Sequence, residues 1–250
     1  MSTNKVAILL VLSYALISSI KHSKEIAMVA VITNLLTREQ INTINTKLFS
    51  SPFSDGNMSG GVLGAQLKKN TQVPPNSSRY RELAELVMGT MQKNDAFNSA
   101  AIPRRILSPI FSAYAKGDEY KKHVDAAMMG PYPGMRTDLS ITIFLNEPKA
   151  YTGGELMLQS PLGEKSFKLP PGSAVLYPTH YVHCVNQVTK GRRLAAVTWI
   201  ESMISDPQKR EILADFASVA QMLVTQNADM DIIRNLEKGR LNLLRMWANT

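Results

Sequence analysis

Between Ile106 and Ile200 one pattern repeats: a short apolar run, then a turn. The runs are Ile106–Tyr114, Leu139–Leu145, Gly154–Leu158, Ser166–Leu169, Ser173–Tyr177, His183–Val188 and Arg193–Ile200. The turns between them are rich in Gly, Pro, Asn and Asp, as in Gly130–Gly134, Glu147–Gly153 and Pro170–Gly172. Many short strands at this spacing predict a β-sandwich, jelly roll or barrel.

Helical signals flank this region. Thr37–Phe49 starts with an N-cap threonine, and Gln40 completes a capping box. Ser78–Lys93 carries Leu83, Leu86, Val87 and Met91 at helical spacing. Ser51–Gly64 and Pro74–Ser77 read as breaks. After the strands, Asp206-Pro207 pairs an N-cap with proline at the first helical position, predicting helices over Pro207–Val224 and Met230–Trp247. The expected class is α+β, with a mainly β core flanked by N- and C-terminal helices. No linker divides it, and 250 residues with 44% hydrophobic and 19% charged content suffice for a full core. That composition excludes global disorder, and a single cysteine excludes a disulfide framework or a Cys-rich zinc module.

Val6–Ile20 stands apart as 15 uncharged, largely apolar residues. A membrane-spanning helix needs about 20. Lys5 gives only a thin basic start, and no small-x-small cleavage pattern follows. Met28 would itself serve as a start. The expected division is therefore an extension, 1–27, ahead of one domain, 28–250. Its core spans about 102–205 and its C-terminal helices 206–250. The extension reads as a misassigned start, a signal or an anchor. The expected location is cytoplasmic, with anchoring or export through residues 1–27 as the alternative.

The chain has four histidines: His22, His123, His180 and His183. Residues i and i+2 of a strand share a face, so His123 and Asp125 can project together. Two imidazoles and one carboxylate make the facial triad of non-heme Fe(II) oxygenases, which leaves adjacent positions open for cosubstrate and O2. His183 is the better third ligand, since His183, Val185 and Gln187 share one face of its strand. Arg193 opens the returning strand, with Ala195, Val197 and Trp199 on its face. Its guanidinium suits bidentate capture of a dicarboxylate, with small Ala195 leaving room. His180 reads as loop surface, Arg192 as solvated, Cys184 as facing away from the metal, and Gly153-Gly154 as a turn. The Ser140 and Thr142 hydroxyls fit a pocket face or ordinary strand alternation.

With these residues in view, Ile102–Phe216 resembles the catalytic core of PKHD-type hydroxylases, Fe(II)/2-oxoglutarate dioxygenases related to prolyl 4-hydroxylase. The matching stretches include Tyr114–Asp125, Arg136–Asn146, Tyr151–Leu156, Lys168–Pro178 and Val188–Ser202. The similarity runs from about Met28 to Trp247. It implies a double-stranded β-helix (jelly roll), with metal ligands at His123, Asp125 and His183, and a 2-oxoglutarate arginine at Arg193. It also suggests that Tyr114 hydrogen-bonds the cosubstrate, although core packing explains Tyr114 equally well. Cofactors implied are Fe(II), 2-oxoglutarate, O2 and L-ascorbate. The implied reaction hydroxylates a C–H bond of a peptidyl (prolyl-like) or small-molecule substrate and releases succinate and CO2. Cys184 departs from relatives that carry a basic residue there.

Net charge is +8, and residues 60–122 hold ten Lys/Arg against five Asp/Glu. A solvated face explains this bias. An acidic substrate or nucleic acid is the sharper reading, so a nucleic-acid-modifying dioxygenase is one rival, although no RRM, KH or zinc-finger pattern accompanies it. A non-catalytic β-barrel binding module is the other. The intact triad plus Arg193 argues against it.

Overall fold

The computed structural model describes residues 29–56, 66–160 and 163–249. The apolar run Val6–Ile20, His22 and the division at Met28 fall outside these residues. Along the chain come β1 (Ala30–Ile32), α1 (Arg38–Phe49), β2 (Ser54–Asp55), β3 (Lys68–Lys69), β4 (Thr71–Gln72), α2 (Ser78–Gln92) and α3 (Asp95–Ala101). The strand-rich part holds β5 (Pro103–Ile106), β6 (Ile110–Tyr114), β7 (Glu119–His123), β8 (Met128–Met129), β9 (Met135–Arg136), β10 (Leu139–Phe144), β11 (Tyr151–Thr152) and β12 (Leu156–Ser160). It continues with β13 (Gly163–Phe167), β14 (Ala174–Pro178), β15 (Val182–Val185), β16 (Lys190–Gly191) and β17 (Arg193–Ser202), before α4 (Pro207–Thr225) and α5 (Met230–Trp247).

Two antiparallel sheets form the core. The larger runs β1-β14-β10-β17-β6-β4-β2, with β5 added on β17; the smaller runs β13-β12-β15-β7-β3. This is a jelly-roll arrangement, with a mainly β centre and helices at both ends of the described sequence. β10 shows why the layers stack as they do. All six of its residues are buried. Leu139, Ile141 and Ile143 join a core built with Ile44 of α1, Val87 of α2 and Phe97 of α3. Ser140 and Thr142 line a cavity on the opposite face. One strand thus serves two interiors, a helix-facing apolar one and a polar one between the sheets.

The helix signals held at residue level. Thr37 accepts from the Gln40 N–H, and the Gln40 side chain accepts from the Thr37 N–H, closing the capping box. Asp206 caps α4 through the Gln208 and Lys209 N–H groups. The strand boundaries moved where other partners took the backbone. The Ile106–Tyr114 run is two strands, split at Leu107-Ser108-Pro109, since proline has no N–H to give a ladder. The expected His183–Val188 strand stops at Val185, because the Asn186 N–H donates to Glu155 O (3.0 Å) and the Val188 N–H to Asp118 O (2.9 Å). No helix among the described residues is long and apolar enough to cross a membrane.

Candidate metal and cosubstrate site

Pairing of β7 with β15 builds the site. His123 lies opposite His183 in register, and Val185 lies opposite Tyr120. Three steps along β7 therefore match two along β15. This bulge brings Tyr120 and His123 onto one face despite their i, i+3 spacing. The Tyr120 ring stacks on His123 at 3.6 Å between centroids. Sequence reasoning put His123 and Asp125 on one strand face. The structure corrects this, because β7 ends at His123 and Asp125 lies beyond it. The Asp125 N–H donates to Thr179 O (3.3 Å), and this turn brings the carboxylate back to the imidazoles.

His123, Asp125 and His183 offer ligand atoms that all lie within 4.8 Å of one another. Asp125 Oδ1 is 4.0 Å from His123 Nε2 and 3.7 Å from His183 Nε2. His123 Nδ1 lies 2.7 Å from Lys121 O, and His183 Nδ1 lies 2.9 Å from Tyr181 O. A carbonyl can only accept, so each neutral ring carries its proton on Nδ1 and leaves the Nε2 lone pair for a metal. Burial, and then the neighbouring His183, push the His123 pKa down to about 4, which keeps it neutral near pH 7. Asp125 Oδ2 is buried without a hydrogen-bond partner. A divalent cation would answer that orphaned acceptor, so these donors fit Fe(II).

Arg193 opens β17, opposite Tyr114 of β6. Its side chain is only 1% exposed. The guanidinium lies 5.2 Å from the Tyr114 ring and 5.6 Å from that of Phe144. Its Nε and Nη2 are buried without a hydrogen-bond partner. Asn146 brackets it: Nδ2 donates to Arg192 O (2.7 Å), while Oδ1 accepts from the Leu194 N–H (2.9 Å). A buried cation with two unbonded nitrogens and no carboxylate partner among the described residues is a ready anion site.

Arg193, Tyr114 and the three ligand candidates line one cavity of about 480 Å³, part of it open to solvent. Ser140, Thr142, Val185, Val197 and Trp199 face it too. Burial raises the Tyr114 pKa against the pull of Arg193, so its hydroxyl stays protonated. Of the remaining sequence readings, His180 and Arg192 are exposed. Arg192 lies over Phe53. Cys184 is buried and absent from the cavity wall. Gln187 is exposed beyond the strand. Sequence reasoning missed Tyr177 and Lys68. Tyr177 pairs with Ser140 across β14 and β10 and meets His183 edge-on at 5.2 Å. Its place in the Ala174–Pro178 alternation was the available signal. Lys68 lines the cavity from β3 with no motif to mark it.

Residues 109–201 match the family model described as the 2OG-Fe(II) oxygenase superfamily. That is the class to which this fold and cluster already point. Close relatives narrow it. A PKHD-type hydroxylase of Saccharophagus degradans is 41% identical over 223 residues, covering 88% of this chain and 98% of that protein. Another, from Thermosynechococcus vestitus, is 39% identical over 218 residues, covering 87% and 97%. With identity this high over nearly the full length of both partners, the chain belongs to the PKHD-type hydroxylase family. It is an Fe(II)- and 2-oxoglutarate-dependent dioxygenase. Its fold also resembles a solved prolyl hydroxylase of Trichoplax adhaerens, in complex with a hypoxia inducible factor peptide fragment. That match has a TM-score of 0.53 and 13% identity, covering 85% of this chain and 97% of that one.

Proposed function

We propose that His123, Asp125 and His183 hold the Fe(II), and that Arg193 anchors the far carboxylate of 2-oxoglutarate with Tyr114 beside it. One observation carries this reading: a three-ligand cluster and a buried guanidinium with two unbonded nitrogens share a single cavity. Iron bound there would couple O2 reduction to oxidative decarboxylation of 2-oxoglutarate, giving succinate and CO2 and placing one oxygen on a substrate C–H bond. The chain supplies orientation. The Lys121 and Tyr181 carbonyls fix both imidazole tautomers. The Arg193 fork sets the direction of the cosubstrate, and Tyr114 and Phe144 hold that fork between their rings. Ala195 and Ser112, paired across β17 and β6 next to Arg193, leave room for the cosubstrate chain.

On this reading the substrate is a peptidyl, prolyl-like group or a small molecule of similar reach. The family name and the Trichoplax neighbour support that class. Ascorbate restores iron oxidised in turnovers without substrate, and the enzyme works in the cytoplasm. The decisive experiment adds Fe(II) and 2-oxoglutarate under anaerobic conditions. A metal-to-ligand charge-transfer band is expected, absent in His183→Ala and weakened in Arg193→Ala. No band in the intact protein would overturn the assignment. Ascorbate is tested by counting substrate-free turnovers with and without it, and location by cell fractionation.

A further inference from the structure

The cavity has a second end that the reading above leaves unused. Trp199 lies opposite Ser140 across β17 and β10, and Ser140 lies opposite Tyr177 across β10 and β14. All three line the cavity. The row stands on the side of the ligand cluster, since the Tyr177 ring meets that of His183 edge-on at 5.2 Å. Arg193 shares the β17 face that carries Trp199, but it opens the strand, roughly 20 Å of backbone away. 2-Oxoglutarate anchored at Arg193 spends its length in reaching the ligand cluster, so the Trp199 end is left to the substrate.

Two polar atoms of this row lack partners. Trp199 Nε1 and Ser140 Oγ are each buried without a hydrogen-bond partner. Ser140 is fully buried, and its hydroxyl approaches the Tyr177 phenol without reaching hydrogen-bond geometry. An indole N–H donates and cannot accept. A buried orphan of this kind is costly, and only an acceptor relieves it. A carbonyl oxygen suits both atoms, because its two lone pairs accept from the indole and the hydroxyl together. One step toward Arg193 the wall turns apolar on β17 and β6, where Val197 lies opposite Ile110 and both face the cavity. A ligand that satisfies this end therefore joins a carbonyl to a small apolar body.

We propose that Trp199 and Ser140 donate to one carbonyl oxygen of the substrate, and that the enzyme selects an amide whose small apolar body is hydroxylated near that carbonyl. This rests on the iron and 2-oxoglutarate reading given above. Trp199 is then a specificity determinant that reads a neutral acceptor, and Val197 with Ile110 limits the bulk of the group beside it.

The test uses the full chain loaded with 2-oxoglutarate and Zn(II), which takes the same donor types without redox turnover. The two tryptophans are Trp199 and Trp247, so the indole N–H region of a nitrogen–proton NMR spectrum holds two signals, and Trp199→Phe identifies one by its loss. N-acetyl amino-acid methylamides, proline included, are titrated in, alongside counterparts in which sulfur, a weaker acceptor, replaces each carbonyl oxygen. At least one amide is expected to move the Trp199 signal downfield at a concentration about tenfold below its thioamide. Its affinity should fall about tenfold in Trp199→Phe and severalfold in Ser140→Ala, while half-saturation by 2-oxoglutarate stays within about twofold. The charge-transfer band of the Fe(II)-loaded protein reports separately on the underlying reading. If that band forms but no amide moves the Trp199 signal, this inference alone is overturned. An equal response to amide and thioamide, or an affinity unchanged in Trp199→Phe, overturns it too. A shift caused by 2-oxoglutarate alone would place the indole in the cosubstrate site instead. No band at all overturns the iron reading, and this inference with it.

Discussion

At the scale of single residues, the site keeps groups in states that cost stability. Arg193 is the clearest case. A buried guanidinium with two unpartnered nitrogens destabilises the empty protein, and the orphaned donors cost about 1–3 kcal/mol or more. Arg193→Met should therefore raise the melting temperature of the apoprotein. The same change removes charge-assisted hydrogen bonds of about 1.5–3 kcal/mol each, so 2-oxoglutarate should bind on the order of 100-fold more weakly. Thermal scans and calorimetric titration of the same variant read both effects. A fall in both quantities would mean that Arg193 is a structural residue. His123 gives the pH counterpart. Its folded pKa of about 4 lies below the ordinary 6.5, chiefly through burial. Between those values the unfolded chain binds a proton that the native chain does not, so stability rises with pH. This contribution is complete above pH 6.5 and is lost as the pH falls to 4. Urea midpoints of the metal-free protein from pH 4 to 7 should drop on the acid side, and His123→Gln should flatten that limb. The chemistry of these residues was legible early, because H-x-D, a distal histidine and an arginine ten residues on are distinctive types at distinctive spacing. Lys68 was illegible for the opposite reason. One lysine among ten basic residues in its region carries no mark, and only the β3–β7 pairing shows that it is buried.

At the scale of elements, register does what periodicity predicts only in part. β10, β14 and β17 were readable as apolar runs, and the four long helices as capped, periodic segments. The β7 bulge was not readable, since alternation alone puts Tyr120 and His123 on opposite faces. α3 was missed as well: Asp95–Ala101 is a seven-residue helix capped by Asn94, too short to show a period. The Gly153-Gly154 turn was readable as a turn, and its geometry explains the residue choice. Gly154 has φ +68, and a Cβ there would lie 3.1 Å from Arg193 Cδ and 3.0 Å from Val188 Cγ2. Gly154→Ala should cost about 1–3 kcal/mol in backbone strain and contacts. It should also raise the KM for 2-oxoglutarate more than it lowers kcat, because the contact falls on the Arg193 stem. Gly239→Ala is the control. That position is inside α5, with nothing within 4 Å of a new Cβ. It should stabilise by about 0.5–1 kcal/mol and leave that KM unchanged. Equal KM changes in the two variants would remove the link between this turn and Arg193.

At the scale of the whole molecule, the two sheets and the helix layer separate two kinds of interior, and surface charge is arranged outside both. The net charge of +8 raises the nucleic-acid alternative, and the ion pairs bear directly on it. Arg104 and Arg105 both reach Glu201, which Arg136 also approaches. Lys122 pairs with Glu164, and Lys69 with Asp118. Lys122–Glu164 is exposed at both ends and adds little stability, while Glu201 and Asp118 are buried; each pair places a carboxylate beside a cation that a phosphate would otherwise use. The basic stretch is thus broken up by acids, Asp118 from within it and Glu164 and Glu201 from elsewhere in the chain. A protein making 6–10 phosphate contacts loses about 10³–10⁵ in affinity between 50 and 200 mM salt. With its cations shared in this way, the chain should bind duplex DNA only weakly, with less than about a tenfold change across that range. Fluorescence anisotropy at a series of salt concentrations measures it. A slope equivalent to six or more released counterions would show that phosphates displace the acids, and would return the nucleic-acid substrate to first place. A shallow slope would show that the ion pairs hold against phosphate, and that the surface charge does not serve to recruit a polyanion.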